Sequence, residues 1–135
     1  MGVTTTLIDK IALIETKDRS ILSTRSKGKE KYYIPGGKRE GQETDTETLI
    51  REIKEELSVP IDPASISYLG TFTAPSDGAP QGVLVQMTCY TASYAGILTA
   101  NSEIEEVVWL SYQDIEKVSA VDKIIFNFLK DCGEL

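Results

Sequence analysis

The chain has 135 residues, a formal net charge of −7, 41% hydrophobic and 26% charged residues, and no histidine. That length suits one domain around one core, and the composition is that of a globular chain rather than a disordered or fibrous one. The negative balance and the lack of a long Lys/Arg run count against duplex nucleic acid or an anionic membrane as the main partner, so an anionic substrate needs a cation as intermediary.

The start, MGVTTTLIDKIALIE, has neither a cationic leader region nor a cleavable apolar one, and no window is long and apolar enough to span a membrane. The expected location is the cytoplasm. Gly2 with Thr6 fits the loose myristoylation pattern, but a Gly2 left by cloning is the favoured reading and lipidation is set aside. Residues 6–15, TLIDKIALIE, and 20–24, SILST, are β-prone runs on either side of TKDR, which predicts a hairpin. KEKYYIPGG predicts another extended segment, ended by Pro35 and the two glycines.

The periodicity then changes. Leu49, Ile50, Ile53 and Leu57 recur at helical spacing, and Thr44 with Glu47 forms the S/T-x-x-E pattern of a capping box, so a helix starts near Thr44. Pro60 and Pro63 end it. SISYLGTFTA and GVLVQMTCYTASY read as strands joined by the turn-rich PSDGAPQG, and VVWLS as a further strand after the acidic NSEIEE. Ser111 and Asp114 can cap a short helix. Ser119 precedes a longer amphipathic one, with Ile124, Ile125, Phe128 and Leu129 expected inward and Gly133 as the stop. Cys89 and Cys132 have no zinc-like spacing and read as reduced, mostly buried thiols. The order strands, helix, strands, helices implies an α/β fold, a mixed sheet with helices on both faces, in a single domain spanning residues 1–135.

On the helix beginning near Thr44, Glu52, Glu55 and Glu56 share a flank bordering the apolar stripe. Exposed like-charge pairs cost little, but at 5 to 6 Å and an effective dielectric near 20 the repulsion is about 3 kcal/mol per pair. Two readings follow: a solvated acidic face, or a site for a hard divalent cation with oxygen ligands. Gly36 and Gly37 let the backbone bend just ahead of the helix and offer a carbonyl to the same place. Glu43 and Arg51 are placed either to tie that loop to the helix or to form an ordinary surface pair.

Gly37, Glu43, Arg51, Glu52, Ile53, Glu55, Glu56 and Val59 match G-x5-E-x7-R-E-U-x-E-E-x-G-U, where U is a bulky aliphatic residue. Six fixed identities coincide by chance less than about once in a million start sites. Over residues 37–59 the chain resembles the Nudix hydrolase superfamily, and the flanking strand order and the Trp109 strand extend the likeness over most of it. One position departs: Ser58 stands where the pattern has the glycine that closes the helix in the left-handed conformation.

The resemblance implies hydrolysis of a nucleoside diphosphate linked to another group X, with Mg2+ or Mn2+. Carried over by motif position, Glu52 and Glu56 become the principal metal ligands, Glu55 a ligand directly or through water, the Gly36 carbonyl a further ligand, and Glu43 with Arg51 the supporting pair. In some members a glutamate about six residues before the tryptophan binds metal or acts as base. Glu103 has that spacing and ranks first as base, ahead of Glu106 and Glu52; the alternative is that these loop glutamates merely solvate a strand entry. Arg25, Lys38 and Gly37 are candidates for holding a substrate phosphate, with surface charge as the plain alternative for Arg25 and Lys38. Tyr32, Tyr33, Phe72 and Tyr90 can stack a base or belong to the core.

For X, Pro75 lies 16 residues beyond Val59, close to a spacing in ADP-ribose hydrolases. The chain lacks the arginine-bearing segment that precedes the motif in coenzyme A hydrolases, and its size is most similar to MutT-type nucleoside triphosphate hydrolases. Three hypotheses stay open: a metal-dependent hydrolase of a small nucleotide, acting as monomer or homodimer; a catalytically silent domain that binds a nucleotide as sensor or regulator; and an acidic interaction domain.

Overall fold

A computed structural model describes residues 6–76 and 81–135. Gly2 and the middle of the PSDGAPQG turn, residues 77–80, lie outside the described residues. In chain order the elements are β1 (Thr6–Leu13), β2 (Thr16–Lys17), β3 (Ser20–Ser26), β4 (Gly36–Lys38), α1 (Asp45–Leu57), a 3-10 turn (Pro63–Ser65), β5 (Ser67–Pro75), β6 (Val83–Thr91), β7 (Ile104–Ser111), a second 3-10 turn (Tyr112–Lys117) and α2 (Ala120–Asp131).

The strands form two sheets rather than one. A mixed sheet runs β4-β1-β6-β5, with β1 and β6 parallel and the outer pairs antiparallel; an antiparallel sheet runs β2-β3-β7. The predicted hairpin is therefore smaller than TLIDKIALIE and SILST suggested. Only β2 turns back on β3, while β1 joins the other sheet, because its apolar run is long enough to bury both faces against separate cores.

Those cores explain the layers. Ile11 and Leu13 of β1, with Leu22 of β3, pack against Leu49, Ile53 and Leu57 of α1. Ala12 of β1 and Ile21 of β3 face the other way, toward Val121, Ile125, Phe126 and Leu129 of α2. Each fully buried Leu, Ile or Phe contributes roughly 1.5–3 kcal/mol, so α1 and α2 are held by the sheets more than by their own propensity. The result is the expected α/β arrangement, with helices on both faces of the strand layer.

Three local expectations change. On α2, Ile124 is 42% exposed, and Phe128 is only partly buried, meeting Phe72 edge-to-face at 5.2 Å. The buried stripe runs through residues 121, 125 and 129 with 126, and position 124 falls on the opposite side of a 3.6-residue helix. Gly36 and Gly37 do not end an extended segment but form β4 with Lys38, paired to β1. Cys89 is buried as expected, whereas Cys132, just past the end of α2, is exposed; both are free thiols.

The start of α1 follows its sequence closely. Thr44 Oγ1 accepts from the Glu47 N–H at 3.2 Å and Glu47 Oε1 accepts from the Thr44 N–H at 2.9 Å, closing the capping box. At the other end Ser58 takes φ 62° and ψ 26°, the left-handed conformation of the glycine it replaces. Among the described residues, no helix is long and apolar enough to cross a membrane.

Candidate active site

β4 and α1 are joined through glycines that leave room for glutamates. At Gly36, with φ +144°, any Cβ would run into the carbonyl of Ile11, so only glycine fits. At Gly37 a methyl group would lie 2.5 Å from Oε2 and 2.7 Å from Oε1 of Glu52. The Glu52 carboxylate therefore rests on bare backbone. One helical turn later, Glu56 Oε1 accepts from the Gly36 N–H at 2.9 Å, so successive residues of β4 hold successive carboxylates of one helix face.

Arg51 fixes this junction from the side. Its Nε and Nη2 donate to the two oxygens of Glu43 at 2.7 and 2.9 Å, Nη2 also donates to the Lys38 carbonyl at 3.0 Å, and Nη1 donates to Glu52 Oε1 at 2.8 Å. This fork ties the loop before α1 to the helix and to Glu52. The guanidinium holds the Glu43 carboxyl down at about 2, and Glu43 raises the pKa of Arg51 in return. Glu43 Oε1 additionally accepts from the Glu40 N–H and the Thr48 hydroxyl.

An open cavity of about 460 Å3 lies against these groups, lined among others by Gly36, Gly37, Lys38, Glu52, Glu56 and Glu103. Burial pushes Glu52 above the ordinary carboxylate range, opposed by Arg51, with Glu55 and Glu103 adding to the rise. Glu56 is only 8% exposed, and burial first, then the charges of Glu52 and Glu103, push it up to about 8 against the pull of the Gly36 N–H. Glu103 moves the other way: a hydrogen bond from the Ser102 side chain lowers it, so it stands ionised at the exposed mouth.

The donor set fits a hard divalent cation by its chemistry. A nearly buried carboxylate with one N–H partner, crowded by two further carboxylates, is the environment a doubly positive ion relieves. The fit is one of donor type rather than of a closed cage, since among the described residues no three Asp, Glu, Cys or His side chains already converge on one point.

The remaining candidates fall elsewhere. Glu55 does not line the cavity; its side chain is 54% exposed and lies 3.5 Å from Arg51. Arg25 does not line it either. It donates to Glu106 at 2.7 Å, and Glu106 also accepts from the Tyr32 hydroxyl at 2.8 Å, so both Arg25 and the second-ranked base are engaged on the β3–β7 pair. Sequence reasoning passed over Lys10, Lys29, Glu40 and Met87, which line the cavity with Tyr33. It also passed over Arg39, which bridges Asp9 and Asp45. For Lys10 a signal existed: a lysine in the middle of the apolar run LIDKIALI.

A family model described as the NUDIX domain matches residues 8–132. The chain belongs to the Nudix family. A relative named ADP-ribose pyrophosphatase, from Methanocaldococcus jannaschii, is 30% identical over 118 residues, covering 84% of this chain and 68% of that one. Among solved structures, a MutT NUDIX hydrolase from Burkholderia pseudomallei superposes with TM-score 0.72 at 19% identity, over 90% of this chain and 95% of that one. A MutT protein from Methanosarcina mazei Go1 gives 0.74 at 16% identity, over 99% and 100%. At those identities the two structures establish the fold alone. By family this Nudix chain is a pyrophosphohydrolase, and the motif at residues 37–59 is the stretch that folds into the glycine–glutamate junction.

Proposed function

We propose that the protein hydrolyses the pyrophosphate bond of a nucleoside diphosphate joined to a further group X, with Mg2+ or Mn2+ held by Glu52, Glu56 and the Gly36 carbonyl, and by Glu55 and Glu103 directly or through water. The observation that carries this reading is that Glu52, Glu56 and Glu103 line one cavity, with Glu56 pushed up to about 8 by burial first and then by the charges of the other two. When bound, the ion would screen phosphate from carboxylate, lower the pKa of a water and stabilise the leaving oxygen.

The chain's own groups divide the remaining work. Gly37 gives Glu52 its space and Arg51, anchored on Glu43, holds its orientation. Glu103, ionised and at the mouth, is our assignment for the proton acceptor. Glu106 is less suited, because Arg25 and Tyr32 already occupy its oxygens. Lys38 lines the cavity, which supports its role in meeting substrate phosphate. Residues 1–135 act as a single domain, as monomer or homodimer in the cytoplasm.

For the substrate we favour a nucleoside triphosphate or related small nucleotide. A second reading, ADP-ribose, is favoured by the Methanocaldococcus relative. Pro75, whose spacing also suggested it, ends β5 and does not line the cavity. The test is a screen of nucleoside triphosphates, dinucleotides, ADP-ribose and nucleotide sugars with Mg2+ and with Mn2+, both products being identified. Metal-dependent cleavage within a pyrophosphate is the expected result; no turnover of any of them would favour the sensor instead.

A further inference from the structure

The cavity has a second, oppositely charged wall. β1 and β4 pair antiparallel with Lys10 opposite Lys38. Residues directly opposite in such a pair project from the same face at close range, and like charges there repel. Both lysines line the cavity that holds Glu52, Glu56 and Glu103. Among the described residues neither makes an ion pair, whereas Arg25, Arg39 and Arg51 all do.

Lys10 also stands where a strand would carry an apolar side chain. Its neighbours along the same face are Ile8 and Ala12, both part of the core beneath α2, and Met87 beside it on β6 is 3% exposed. Its ammonium lies 5.7 Å from the centre of the Tyr33 ring, and Met87 and Tyr33 line the cavity too. A partly buried lysine facing a like charge, with an aromatic face as its support, is completed by an anion. Across the cavity Glu52 accepts from Arg51 and Glu56 from the Gly36 N–H, and Lys10 acts on Glu56 through its charge alone, without an ion pair.

We infer that Lys10, together with Lys38, determines specificity for X by holding an anionic, phosphate-bearing X and disfavouring a neutral sugar. This rests on the pyrophosphohydrolase reading above. With the pyrophosphate drawn to the carboxylate wall, further phosphate charge in the same cavity meets two ammonium groups, while a ribose meets the same pair with nothing to neutralise it.

The experiment compares wild type, Lys10→Gln and Lys10→Arg on ATP and ADP-ribose with Mg2+. The ratio of kcat/KM for ATP to that for ADP-ribose should fall about 10- to 100-fold in Lys10→Gln, through KM, as expected for a lost charge-assisted hydrogen bond, and Lys10→Arg should restore most of it. An unchanged ratio overturns the inference. Calorimetric titration of the same proteins with Mg2+-tripolyphosphate separates this outcome from failure of the catalytic reading. Affinity should drop at least about tenfold in Lys10→Gln even if no nucleotide is turned over. Equal binding by wild type and variant, or none by either, overturns the lysine subsite by itself.

Discussion

Gly37 and Glu52 compete for one volume. A methyl group on Gly37 would lie 2.5 Å from a Glu52 oxygen, and the residue's backbone is otherwise open to alanine, since it carries no left-handed φ. Gly37→Ala should therefore fold normally yet lose about 100-fold in kcat, the scale expected when a reacting group is displaced by about 1 Å. Circular dichroism and a turnover assay check the two halves, and wild-type activity would mean that Glu52's position is irrelevant. Glu56 carries a pH signature. Its pKa is raised in the folded protein, from 4.5 to about 8, by burial ahead of its like-charged neighbours. The stability it contributes is thus fully present below about 4.5 and is lost as pH rises through about 8. In EDTA, the Tm of wild type should fall relative to that of Glu56→Gln as pH is raised across that window, and Mg2+ should flatten the difference by favouring the charged form. A difference that is flat in EDTA contradicts the burial argument. The motif residues were legible from sequence because identity and spacing alone mark them; Lys10 left only the signal of a lysine inside an apolar run, because its meaning depends on Lys38, the strand partner opposite it.

At the scale of elements, α1 was the most readable part of the chain. Its cap, its apolar stripe and its acidic flank are all local patterns, and the structure realises the first two as expected. Its end was the open question. Ser58 occupies the left-handed conformation at a cost of roughly 1 kcal/mol relative to glycine. Ser58→Gly should consequently raise stability by about 1 kcal/mol, or Tm by about 3 °C, without altering turnover. A thermal melt decides it, and a lower Tm would show that Ser58 makes a compensating contact. β4 could not be read in the same way. Two glycines and a lysine have no strand propensity, and the strand exists because β1 offers it a ladder. α2 was misread at Ile124 for the opposite reason: the run offers more apolar residues than one helix face can bury.

At the scale of the molecule, the division of the strands into two sheets and the parallel pairing of β1 with β6 are long-range facts that no local pattern contains. Their consequence is functional. By burying both faces, β1 can seat α1 on one side while presenting Lys10 beside β4, so one cavity has an acidic helix for one wall and a basic strand pair for another. The central claim is that the acidic wall is a cation site. It is tested most directly by anomalous diffraction at the manganese edge, on crystals grown with Mn2+ and a non-hydrolysable nucleotide. The account predicts a manganese peak bonded to carboxylate oxygens of Glu52 and Glu56, next to Gly36. Well-ordered nucleotide with no manganese between it and those two glutamates would contradict it.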